Sequence, residues 1–207
     1  NADGVYEVYV SDMDNDGDLD IVSASSNDNK IAWYENDGAA NPSFSSSTIA
    51  TTAQGATDVS LADMDGDGDI DIVSSSFQDD TIAWYENNGA ADPTWTAADI
   101  ATSADGASSI FLADMDSDGD IDILSASQND DTIAWYENDG AANPSWTASD
   151  ITTSADGADE VFAADMDSDG DIDILSASQN DDTIAWYENN GAANPTWTSS
   201  NIDNTRD

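Results

Sequence analysis

Apolar and polar residues alternate in short runs along the chain. In Thr132-Ile-Ala-Trp-Tyr-Glu137, Ile133 and Trp135 share one face and Ala134 and Tyr136 the other, because side chains alternate along a strand. Ser109–Ala113, Ile121–Ala126 and Trp146–Ile151 read in the same way. Each run is bounded by Asp, Asn, Gly or Pro clusters, which supply turn conformations. No window of roughly 11 residues carries a helical apolar period, and Asp, Asn, Ser, Thr and Gly are poor helix formers. The pattern predicts four short strands and almost no helix.

This four-strand pattern recurs. Ala-Trp-Tyr-Glu places its Trp at 33, 84, 135 and 186, a spacing of 51, and an acidic run opens at Asp12, Asp63, Asp114 and Asp165 with the same spacing. The glycines at 4, 55, 106 and 157 keep the period, so no insertion separates the copies. The chain is expected to be one domain, 1–207, of four units at 4–54, 55–105, 106–156 and 157–207. Tandem four-stranded antiparallel units of about 50 residues describe propeller blades. Such a unit cannot bury both faces alone, so copies must stack. The expected fold is all-β: a β-propeller of four tandem 51-residue blades. It is either a closed four-bladed ring or half of an eight-bladed homodimer, with an excised fragment as the third arrangement.

Charge narrows the partners. The 207 residues hold 45 Asp plus Glu against 2 Lys plus Arg, with no His and no Cys, for a net charge of -43, while a hydrophobic content of 39% is enough for a packed core. With Lys30 and Arg206 as the fixed positive charges there is no basic patch to neutralise phosphate, so nucleic acid and anionic membranes are disfavoured. The longest clean apolar runs resemble Ile31–Tyr34, far short of the roughly 18 residues of a membrane span. Opening on Asn1 without Met or an apolar leader, the chain reads as a processed or excised piece whose targeting signal is not present.

The acidic runs carry the chemistry. Asp12, Asp14, Asp16, Asp18 and Asp20 alternate through one loop, followed at the same period by Asp63, Asp65, Asp67, Asp69 and Asp71. The third and fourth copies are Asp114, Asp116, Asp118, Asp120 and Asp122, and Asp165, Asp167, Asp169, Asp171 and Asp173. Oxygen ligands at positions 1, 3 and 5, glycine at 6, a backbone carbonyl at 7 and a carboxylate at 9 are how a short loop wraps a hard cation. Five carboxylates in nine residues also repel one another unless a cation neutralises them. Calcium is expected, one ion per blade and four in all, selected by the type and number of ligands. An EF-hand would need Glu at position 12, where Ser23, Ser74, Ser125 and Ser176 stand, and flanking helices where strands are expected.

Tandem Asp-x-Asp-x-Asp-Gly-Asp-x-Asp loops between the first two strands of a blade, as at Asp114–Asp122, resemble the FG-GAP and VCBS repeats, the calcium-bearing blades of integrin α-subunit propellers. The resemblance covers essentially the whole chain. It implies a β-propeller with one calcium per blade in a secreted or cell-surface protein that binds proteins or glycans. Ser-Ala-Ser at 125–127 and 176–178 replaces the Gly-Ala-Pro of the integrin motif, which points away from an integrin-type partner.

Fourfold repetition argues against a catalytic centre, which is normally a single asymmetric constellation. The usual bases and nucleophiles are missing too: there is no His or Cys, and Lys30 is matched by Thr81, Thr132 and Thr183. The expected function is a non-enzymatic calcium-binding module, extracellular, for adhesion or recognition of a glycan or protein. The alternatives are a scaffold without a ligand of its own, or a calcium-dependent enzyme acting on polysaccharides. Phe44, Trp95, Trp146 and Trp197, each two residues after a proline, are candidates for stacking on a sugar ring or for packing between blades. Trp33, Trp84, Trp135 and Trp186 sit mid-strand beside Ile and are expected in the core. Positions that differ between copies, such as Glu7, Phe77, Asp159 and Glu160, are where an asymmetric partner would be recognised.

Overall fold

The computed structural model describes residues 2–204; Arg206 and the final residues of the fourth repeat lie outside the described residues. Each repeat forms one antiparallel four-stranded meander. The first holds β1 (Val5–Ser11), β2 (Asp20–Ser25), β3 (Lys30–Asn36) and β4 (Phe44–Ala50), and the second β5 (Ala56–Ala62), β6 (Asp71–Ser76), β7 (Thr81–Asn87) and β8 (Trp95–Ala101). The third holds β9 (Ala107–Ala113), β10 (Asp122–Ser127), β11 (Thr132–Asn138) and β12 (Trp146–Thr152). The fourth holds β13 (Ala158–Ala164), β14 (Asp173–Ser178), β15 (Thr183–Asn189) and β16 (Trp197–Asp203). No helix occurs among the described residues. These are four propeller-type blades, and the chain is all-β as the alternation predicts.

Register sorts the side chains of each blade onto two faces. In the first blade Val8 pairs with Ser23, and Ser23 with Ala32, while Val10 pairs with Ile21 and Ile21 with Tyr34. These residues and their equivalents form what is here termed the leading face. Tyr9, Val22 and Trp33 pair across the same strands and belong to the opposite, trailing face.

The blades group into two compact units, Asn1–Ser103 and Ala104–Asp207. Within the first unit, Val22, Ile31 and Trp33 from the trailing face of blade one, with Met13 from its acidic loop, pack against Val59, Ile72, Ala83 and Tyr85 of blade two. Within the second unit, Met115, Leu124, Ile133 and Trp135 pack against Val161, Ile174, Ala185 and Tyr187 in the same way. Full burial of each large aliphatic side chain is worth about 1.5–3 kcal/mol, so the junction between blades, more than any single sheet, carries the apolar stability.

A polar clasp closes the rim of each of these junctions. Asn87 Nδ2 donates to Met13 O of the neighbouring blade at 2.9 Å and to Ile70 O of its own at 3.0 Å. Asn189 Nδ2 likewise donates to Met115 O and Ile172 O, both at 3.0 Å. Both asparagines are buried, so these bonds satisfy donors that would otherwise be costly to desolvate.

Candidate metal centres

Each acidic loop joins the first two strands of its blade, and its own main chain sets the positions of its carboxylates. In blade one, Asp12 accepts from Asp16 N at 3.1 Å and from Gly17 N at 2.9 Å, Asp14 accepts from Asp16 N at 3.2 Å, and Asp16 accepts from Asp18 N at 2.9 Å. Side-chain-to-backbone bonds of this kind are why Asp favours turns. Gly17, at φ 96, supplies a left-handed turn at position 6 that a side chain would strain.

These bonds gather the carboxylates. Oxygens of Asp12, Asp14 and Asp16 lie within 4.8 Å of one another, as do those of Asp114, Asp116 and Asp118; in the other two loops the groups are Asp63, Asp65 and Asp71, and Asp165, Asp167 and Asp173. Every blade therefore brings together positions 1 and 3, joined by position 5 or position 9. Asp67, Asp169, Asp20 and Asp122 belong to the same loops but fall outside these groups of three. Position 7 enters none of them. Instead the Asp18 carboxylate lies against Gly38, where an added Cβ would sit 2.1 Å from Asp18 Oδ2, and Asp69, Asp120 and Asp171 meet Gly89, Gly140 and Gly191 at 2.0 Å. That leaves the main-chain carbonyl of position 7 as its available ligand, the atom the loop spacing assigns to it.

Position 9 is buried, with Asp20, Asp71, Asp122 and Asp173 each 1% exposed. Asp71 Oδ2 accepts from Met64 N at 3.1 Å and Oδ1 from Asn87 N at 2.8 Å, and the same pair of bonds recurs in the other three loops. The carboxylate thus ties the start of the acidic loop to the end of the third strand. The indole Nε1 groups of Trp84 and Trp135 are buried outside full hydrogen-bond geometry, yet they lower the pKa of Asp71 and Asp122 as looser neighbours. Burial wins nonetheless and pushes both carboxyls up to about 7. Burial also raises Asp14, Asp65 and Asp116, reinforced by neighbouring carboxylates.

The donor set is all oxygen, closely grouped and strained by its own charge, which fits a hard dication and offers nothing to a soft one. Asp12, Asp14 and Asp16 and their equivalents, with position 9, would hold it.

The candidate stacking residues lie elsewhere. Trp95 and Trp197 are half-buried and pack against the junction cores, Trp197 edge-on to Trp135 with centroids 6.4 Å apart. Trp146 is also half-buried, whereas Phe44 is 45% exposed. A polar hollow of about 190 Å³ lies beside blade four, lined among others by Thr152, Ser154, Asp181, Thr183 and Asn201. The Oδ1 atom of Asp181 is buried there without a hydrogen-bond partner. The reading of the sequence missed this hollow, because its residues come from separate turns and strands with no shared motif.

A family model described as FG-GAP-like repeat matches residues 12–74, 63–125 and 114–176, each match opening on the first aspartate of an acidic loop. No curated protein matches the chain in sequence. Among solved structures, BBS1N, crystallised in complex with ARL6DN and soaked with lead, is similar with a TM-score of 0.58 at 10% identity, over 95% of this chain and 57% of that one. The V. cholerae biofilm matrix protein Bap1 aligns with a TM-score of 0.48 at 18% identity, over 96% of this chain and 40% of that one. This chain therefore spans little more than half the length of the first and less than half of the second. At such identities the likeness to BBS1N is one of fold.

Proposed function

The chain belongs to the family of FG-GAP-like repeats, and from that premise we propose that it is a non-enzymatic, calcium-loaded module that works outside the cell in adhesion or recognition. The observation that carries the reading is the fourfold gathering of three carboxylates within 4.8 Å, once in every blade. Calcium acts mainly on the fold in this reading. It neutralises the loop that links the first two strands and leaves the blade surfaces to meet a ligand. Four equivalent sites and the absence of His and Cys from the sequence favour binding over catalysis. The hollow beside Asp181, with hydroxyl, amide and carboxylate groups turned into one small space, supports a polar ligand such as a glycan.

Calorimetric titration of chelator-stripped protein tests the metal. Four calcium equivalents are expected, with weaker binding of magnesium; no calcium uptake overturns the reading. A glycan array probed with and without chelator tests recognition, and binding that disappears in chelator and in Asp181→Ala supports it. The packing of half-buried Trp95 and Trp197 against the junction cores favours a second reading, a scaffold without a ligand of its own. An empty array from a folded, calcium-loaded protein selects that one.

A further inference from the structure

Every blade carries an aspartate in the turn between its second and third strands, at Asp28, Asp79, Asp130 and Asp181. Two residues further on, blade one has Lys30 where the others have Thr81, Thr132 and Thr183. Lys30 Nζ lies 2.9 Å from Asp28 Oδ2, and the two side chains are only 20% and 25% exposed. In blade one, then, an ammonium group fills the space beside this aspartate. In blade four the equivalent space belongs to the polar hollow of about 190 Å³, which Asp181 and Thr183 both line. Thr152 and Ser154 come to it from the end of blade three, and Ser199 and Asn201 from β16, where they pair with Tyr187 and Ala185 on the leading face. The whole lining lies within the second unit. Asp181 Oδ1 is buried and, among the described residues, accepts no hydrogen bond. A buried carboxylate oxygen is costly in that state until a donor reaches it.

We propose that the hollow beside Asp181 binds an amino sugar through its free, unacetylated ammonium group. This rests on the recognition reading above and names the chemistry of its ligand. Blade one supplies the template, since its lysine already meets the equivalent carboxylate with an ammonium. An ammonium offers three donors and no acceptor, so a charge-assisted bond to Asp181 Oδ1 anchors it and neighbouring hydroxyl oxygens take its remaining protons. The hydroxyls of Thr152, Ser154, Thr183 and Ser199 and the amide of Asn201 both donate and accept, which suits the hydroxyls of a sugar ring. A lysine side chain would lay methylenes against these groups and leave them unpaired. The volume is that of about six water molecules at roughly 30 Å³ each, room for a single sugar residue. A net charge of -43 repels acidic sugars and draws a cationic one. Blade two repeats the aspartate, with Asp79 Oδ1 also buried without a partner, but it has Ala50 and Ala97 at the positions of Thr152 and Ser199. The hydroxyls that hold the ring are therefore fuller in blade four.

Calorimetry and ligand-observed NMR on the whole calcium-loaded chain test the inference, with glucosamine, N-acetylglucosamine, glucose, methylammonium and lysine as probes. Glucosamine is expected to bind saturably, and N-acetylglucosamine and glucose at least about tenfold more weakly. Asp181→Asn keeps the shape of the side chain and should weaken glucosamine by a similar factor, while Asp79→Asn leaves its binding unchanged. Ser199→Ala should weaken glucosamine and spare methylammonium. Thr183→Lys installs the arrangement of blade one, so the variant should keep the wild-type circular dichroism and calcium uptake yet lose glucosamine. Glucosamine bound no more tightly than glucose, or unaffected by both Asp181→Asn and Thr183→Lys, overturns the inference. Methylammonium or lysine bound as tightly as glucosamine also overturns it, since the hollow then holds a bare cation or a protein side chain. Chelator-sensitive binding of neutral glycans that survives Asp181→Asn would sink this inference and leave the recognition reading standing. A folded, calcium-loaded chain that binds neither these probes nor any glycan on the array overturns both.

Discussion

Within each acidic loop, position 3 and position 9 carry the same side chain and depend on it for different things. Asp65 points at its fellow carboxylates and accepts one loop N–H, from Asp67, whereas Asp71 is buried and accepts from Met64 N and Asn87 N. Asp65→Ala should lower calcium uptake from four equivalents to three while leaving the stability of the metal-free protein nearly unchanged, as titration and urea unfolding in chelator will report. Asp71→Ala strips two buried donors of their acceptor and should cost about 2–4 kcal/mol even in chelator. The pH dependence follows from the same burial. The carboxyls of Asp71 and Asp122 ionise near 7 in the folded metal-free chain, against 3.8 ordinarily, so the folded state holds protons that the unfolded state has released. Their contribution to stability is fully present below about pH 4 and is lost as pH rises through 7. In chelator, the urea midpoint should therefore fall between pH 5 and pH 8. In excess calcium, which needs the ionised form, that fall should flatten or reverse. A midpoint in chelator that rises over this interval refutes the assignment.

Among the elements, the turn after each third strand is as tightly specified as the acidic loop. Gly89 has φ 63, and a Cβ there would stand 2.0 Å from Asp69 Oδ2. Gly89→Ala combines left-handed strain with a clash and should destabilise its unit by about 1–3 kcal/mol, read as a shift in urea midpoint, with Gly140→Ala matching it in the other unit. The strands themselves were largely legible from alternation: Ser109–Ala113 and Thr132–Glu137 as expected become Ala107–Ala113 and Thr132–Asn138. What escaped is the side-chain direction within the loops. Five aspartates look alike as letters, and only the three-dimensional path turns Asp18 toward Gly38 and buries Asp20. Asn36, Asn87, Asn138 and Asn189 escaped too, although they recur at the period. Their backbone N–H meets an aspartate 16 residues earlier through hairpin register, which no local pattern encodes. Position 4 is left-handed in every loop, yet only blade two carries glycine there, at Gly66, beside Asn15, Ser117 and Ser168 elsewhere. The period alone does not single that position out.

For the whole molecule the governing quantity is charge. Four bound dications would offset only part of a net charge of -43, so metal and salt act on the same repulsion. Chelator should lower the melting temperature most at low ionic strength, where the Debye length is about 30 Å, and less near physiological salt, where it is about 8 Å. Equal losses in both conditions would mean that calcium holds the loops by local geometry and not by relieving repulsion. Sequence identity between blades has a kinetic consequence. β7, β11 and β15 are all Thr-Ile-Ala-Trp-Tyr-Glu-Asn, and β10 and β14 are both Asp-Ile-Leu-Ser-Ala-Ser. The ladder that β10 makes with β11 could be copied bond for bond with β15. Chemistry does not separate the two pairings. What does is the entropy of closing a loop of some 55 residues instead of a tight turn, worth about 2 kcal/mol. Refolding therefore passes a fork at which a strand can be borrowed from the neighbouring blade, or from another chain as concentration rises. The yield of native protein after dilution from urea should drop as the protein is made more concentrated.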